Sequence, residues 1–96
     1  MATKKKPYVV VRTCSAGVHV GVLESQDGKQ VVLSTARRLW YWKGAFTLSE
    51  VSQTGVAGGS KLSVAVPRIT LTEAVEIIPA SMEAAQILRT MPGSRE

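Results

Sequence analysis

The 96-residue chain, 45% hydrophobic and 20% charged, is long enough for one core, too short for two, and too rich in Val, Ile and Leu to stay disordered. Its net charge of +5 points toward anionic partners, but Lys4, Lys5 and Lys6 hold three of those charges in the leading segment, so the body is only mildly basic. One cysteine, Cys14, and one histidine, His19, exclude an internal disulfide, a zinc finger and any two-histidine mechanism within one chain.

Tyr8 to Thr13, a β-branched run after Pro7, predicts a first buried strand. Ser15-Ala16-Gly17 supplies a turn, and Val18 to Glu24 alternates so that Val18, Val20 and Val22 share one side. Asp27-Gly28 suits a tight hairpin turn, with Gln30 to Ser34 as the returning strand. Ala36 to Gly44 then reads Ala-Arg-Arg-Leu-Trp-Tyr-Trp-Lys-Gly. Its period of two predicts a further strand with Arg38, Trp40 and Trp42 on one face and Leu39 and Tyr41 on the other.

Thr47-Leu48-Ser49-Glu50 has capping-box spacing and predicts a helix of about two turns ending at Gly55. The loop Ala57-Gly58-Gly59-Ser60 suits a turn or a close ligand approach to the backbone. Lys61 to Val66 alternates as a strand with Leu62, Val64 and Val66 inward, closed by Pro67. Arg68 to Leu71 and Ala74 to Ile78 add one or two more strands, ending at Pro79. Ser81 caps a last helix from Met82 to about Thr90, which Pro92-Gly93 terminates. The expected fold is therefore α+β: a small antiparallel β-sheet domain with a short middle helix and a C-terminal helix. Residues 1–6 read as a basic tail, 7–91 as one domain and 92–96 as a second tail.

Few residues carry chemistry. There is no phosphate loop and no dinucleotide-binding turn. Cys14 and His19 flank the Ser-Ala-Gly turn, where a thiolate and imidazole pair is conceivable. The plainer expectation is a small buried cysteine and an outward histidine. Catalysis is thus not expected, nor is a cofactor or a metal. The Arg-Arg-Leu-Trp-Tyr-Trp-Lys segment is a stronger lead, because aromatic faces stack on bases while guanidinium and ammonium groups meet phosphates. The candidate ligand-binding residues are Arg37, Arg38, Trp40, Trp42 and Lys43, with Ser15 and His19 as polar contributors. Two other readings stay open for the Trp pair: core or subunit interface, and a hot spot for another protein.

The blocks Ser15 to Gly21, Ala36 to Ala45, Leu48 to Val51 and Leu71 to Pro79 make the chain resemble small uncharacterised proteins of tailed bacteriophages and prophages. That resemblance implies an origin and carries no activity with it. A compact noncatalytic phage protein is expected to bind something of the host. It would sequester a nucleotide-like signal, or else occlude a nucleic acid or a host protein; a purely structural oligomer is the remaining reading. With so few aromatics the core is thin, so a homo-oligomer is expected. A lone cysteine, the absence of an apolar leader in Met1 to Lys6 and the lack of any run near the ~18 apolar residues that cross a bilayer predict a cytoplasmic location without a membrane partner, in the host cytoplasm if the protein is phage-encoded.

Overall fold

The computed structural model describes residues 6–14, 17–45 and 47–93. The predicted class holds: a small antiparallel sheet with one middle and one C-terminal helix. The elements run β1 (Tyr8–Thr13), β2 (Val18–Asp27), β3 (Gln30–Tyr41), α1 (Leu48–Thr54), β4 (Lys61–Leu62), β5 (Val66–Leu71), β6 (Ala74–Pro79) and α2 (Met82–Thr90). Strand order is β4-β3-β2-β1-β6, and β5 also pairs with β3.

The β2–β3 hairpin closes as the Asp-Gly pair predicts, with Asp27 opposite Gln30. Gly28 takes the first central turn position at φ 61, while Lys29 does not share its positive φ. That is the turn geometry whose twist matches paired strands and whose first position favours glycine.

Sequence alternation breaks at Thr35, which suggests two strands there; the structure has one strand of 12 residues carrying a bulge. The β2–β3 register shifts between Val20 and Val22, and Thr35 adopts φ 47, unusual for a β-branched residue. Gly21 lies opposite, and a Cβ there would meet the Ser34 carbonyl oxygen at 3.0 Å and the Ala36 Cα at 3.2 Å. The bulge therefore leaves little room for a side chain across from it. It also resets the alternation, so that Val31 and Leu33 before it and Ala36 after it bury into one core. Because Thr35 is exposed, Thr35→Asn should relieve left-handed strain at no cost in packing. Its expected gain is about 1 kcal/mol, read as a rise in Tm of about 4–8 °C; an unchanged or lower Tm would show that the bulge stores no strain.

A second correction concerns residues 61–71. Lys61 to Val66 is not one strand: β4 holds two residues, and Ser63 to Ala65 leave the sheet. Pro67 does not close a strand but lies within β5, which is tolerated because, among the described residues, β5 pairs with β3 alone and its other edge carries no strand. Of the three residues expected inward, Leu62 is buried, whereas Val64 and Val66 are exposed.

Only Thr72 and Glu73 separate β5 from β6, at opposite edges of β3-β2-β1. Three Cα steps reach about 11 Å, whereas four strand spacings in a flat sheet span about 19 Å. The sheet must curl. The Ala74 N–H donates to the Lys29 carbonyl at 3.0 Å, seating this corner on the β2–β3 turn. Curling buries Val9, Val11, Val31, Leu33, Leu71 and Ala74 on the concave face without a covering helix. The opposite face is covered by the helices: Val10, Val20, Leu39 and Leu62 meet Val51 of α1 and Leu88 of α2. Both predicted caps form, Thr47 Oγ1 accepting from Glu50 N and Ser81 Oγ from Ala84 N. No helix among the described residues is long and apolar enough to cross a membrane.

Candidate functional site

Pairing of β2 with β3 sets His19 opposite Arg38 and Val20 opposite Arg37. Since side chains alternate, the two neighbouring arginines go to opposite faces of the sheet. Arg37 enters the helix side. Its Nε donates to the Ser63 carbonyl at 2.7 Å, and Nη1 donates to the Leu88 carbonyl at 2.7 Å and the Arg89 carbonyl at 3.5 Å. Arg37 thus caps the C-terminus of α2, where its charge opposes the helix dipole.

Arg38 emerges on the other face, beside a cavity of about 230 Å³ lined by His19, Ala36, Arg38, Ser63, Val66 and Ile69 together with Arg37. Ser63 frames it: its hydroxyl accepts from the Arg38 N–H at 2.8 Å and its own N–H donates to the Arg38 carbonyl at 2.9 Å. His19 is 1% exposed, which corrects its expected outward position: β1 and β3 flank β2 on both sides, and the curl encloses its concave face. The Arg38 Nε donates to His19 Nε2 at 3.4 Å, so the imidazole is neutral with its proton on Nδ1, which has no partner among the described residues. Burial, and secondarily the Arg38 charge, hold its pKa below 6.5.

His19 is the single histidine, which makes its titration readable in the stability of the whole protein. Below about pH 6.5 the unfolded chain takes up a proton that the folded state refuses, so stability should fall on acidification by up to about 1.4 kcal/mol per pH unit. The loss ends once folded His19 itself titrates. Urea unfolding between pH 7.5 and 5 measures this slope, and His19→Gln should abolish it; a flat wild-type profile would contradict the assignment.

Trp40 follows Arg38 on the same face, 44% exposed. The Lys61 ammonium lies 5.3 Å from its ring centroid, and Lys61 pairs with Tyr41 across β3–β4. Lys43 lies 6.0 Å from the Tyr41 ring. Trp40, Tyr41 and Lys61 therefore form an exposed aromatic and basic platform. Trp42 does not join it, contrary to the alternation. Beyond Tyr41 the chain leaves the strand and bonds the 57–60 loop through Ser60 Oγ to Lys43 N and Ala57 N to Lys43 O. This turns Trp42 against the helix-side core, near Val18 and Leu48.

Of the predicted site residues, the structure brings together His19 and Arg38 at the cavity and sets Trp40 two residues along the same face. Arg37 and Trp42 go to the helix side, Lys43 stands at the edge of the platform, and Ser15 lies outside the described residues. The Cys14 thiol makes no hydrogen bond to His19, whose ring nitrogens meet only Arg38 among the described residues, and Cys14 is exposed rather than buried because it lies just past the end of β1. Sequence reasoning missed Ser63, Lys61 and Tyr41. Ser63 lies 25 residues from Arg38, and no local pattern links them. No group of three or more metal-ligating side chains occurs among the described residues.

Residues 6–88 match the model of a family described as a domain of unknown function, DUF6948. No curated protein and no solved structure gives a significant match.

Proposed function

We propose that this chain, which belongs to the DUF6948 family, is a noncatalytic binding protein that captures a nucleotide-like anion on the face shared by His19, Arg38 and Trp40. The observation that carries the reading is the placement of an exposed guanidinium and a half-exposed indole on one face of β3, beside a cavity floored by a buried imidazole whose Nδ1 has no partner among the described residues. A base stacks on Trp40, a phosphate meets Arg38 and Lys61, and the Nδ1–H of His19 is a donor for a group that enters the cavity. In this reading the protein is of phage type, acts in the host cytoplasm and sequesters a host signal. It assembles as a homo-oligomer through the open edges of β5 and β6, where Val66 and Val75 are exposed.

The test is a titration followed by tryptophan fluorescence with mono-, di- and cyclic nucleotides. Saturable quenching that is independent of polymer length is expected. A null response across the panel would overturn the reading. Binding that appears only with single-stranded DNA or RNA and falls steeply with salt would assign the platform to nucleic acid instead, a reading favoured by the extension of Trp40 into Tyr41, Lys61 and Lys43.

A further inference from the structure

We propose that a second cavity, on the helix side and separate from the Arg38 face, binds an oxyanion of phosphate size between Arg37, Arg89 and the Tyr8 hydroxyl. This cavity, of about 240 Å³, is lined by Tyr8, Thr35, Arg37, Arg89, Met91 and Gly93 with Val64 and Ala65, and none of these is acidic.

Three observations converge on it. First, Tyr8 is 6% exposed and its hydroxyl is buried without a hydrogen-bond partner among the described residues. A buried hydroxyl left unsatisfied loses its hydration without recompense, so it calls for an acceptor. Second, Arg37 spends Nε and Nη1 on the Ser63 and Leu88 carbonyls, which leaves Nη2 without a partner among the described residues. Third, the Arg89 guanidinium is held over the Tyr8 ring at 4.8 Å, and neither arginine has a carboxylate within salt-bridge reach among the described residues. The C-terminus of α2 offsets only about half an elementary charge, and its carbonyls face Nη1 rather than Nη2. Two guanidiniums and one phenol remain as donors around one space, with no carboxylate among the described residues to meet them. Forked guanidinium donors and a hydroxyl are the groups that recognise the oxygens of phosphate.

Thermal unfolding in inorganic phosphate against chloride of equal ionic strength tests the site. Phosphate raises the Tm of many proteins by exclusion from their surface, an effect that grows without saturating. A site adds a saturable rise, on the order of 5 °C or more at tenfold excess over Kd for a chain of this length. Arg89→Gln should abolish the saturable part, since Arg89 is exposed and removing its charge leaves the fold intact. Tyr8→Phe should retain the fold and weaken the apparent phosphate affinity several-fold. Arg38→Ala should leave the response unchanged, which separates this site from the nucleotide face. A rise of equal size and shape in wild type and Arg89→Gln would overturn the proposal, as would its loss in Arg38→Ala.

Discussion

Replacing Arg37 by Met is expected to lower the unfolding free energy by about 3 kcal/mol. Met retains much of the apolar stem, so the loss isolates the guanidinium. That group bonds two carbonyls that no other described side chain reaches, Ser63 O before β5 and Leu88 O at the end of α2. Hydrogen bonds from a charged donor contribute about 1.5–3 kcal/mol each, and a buried carbonyl left unpaired costs about 1–3. Burial pulls the Arg37 pKa down, and the nearby Tyr8 opposes this; the guanidinium nonetheless stays charged near neutrality. Against a net stability of about 5–15 kcal/mol this is a large fraction. Urea unfolding should show a midpoint lower by roughly 1–3 M. Arg37→Lys should recover only part of the loss, because an ammonium lacks the planar fork that spans both carbonyls. A change within about 0.5 kcal/mol, the range of ordinary surface substitutions, would remove Arg37 from its place as the tie between sheet and helix.

Arg38→Ala and Trp40→Ala are expected to behave in the opposite way, leaving stability nearly untouched and removing ligand binding. Arg38 is exposed, and its one side-chain hydrogen bond among the described residues is the long 3.4 Å contact to His19; Trp40 is 44% exposed. Stacking on an aromatic ring contributes about 1–3 kcal/mol per base, and a charged hydrogen bond to phosphate about 1.5–3. At about 1.4 kcal/mol per factor of ten, each variant should weaken nucleotide binding about tenfold or more, and the pair by about 100-fold or more. Calorimetry suits the Trp40 variant, since part of the fluorescence leaves with the residue. If Trp40→Ala unfolds the protein, the indole is a core residue and the nucleotide reading fails at its carrying observation. If both variants fold and bind as the wild type does, the ligand lies elsewhere on the molecule.

The adjacent arginines show how far local pattern reaches. Period-two alternation correctly sends Arg37 and Arg38 to opposite faces of a strand. It does not tell which face is covered by helices, because that depends on α2, whose Leu88 carbonyl lies 51 residues from Arg37. The same alternation groups Trp42 with Trp40 and misses, because the loop at Ala57 and Ser60 captures the backbone at Lys43. Thr35 is a third case: a strand interruption is visible there, yet only the opposed Gly21 reveals it as a bulge within one strand.

Short-range chemistry was enough to determine the class of fold, the Asp-Gly hairpin, both hydroxyl-capped helices and the strands β1 and β6, since each depends on residues within about four positions or on simple alternation. Tertiary structure alone decided that the sheet curls, that His19 is enclosed, that Arg37 serves α2 while Arg38 faces outward, and that Tyr8 and Arg89 meet. The reason is physical. Whether a polar group is buried, paired or left without a partner is set by what packs against it from distant parts of the chain, and in this protein that packing follows from a two-residue link joining opposite edges of one sheet.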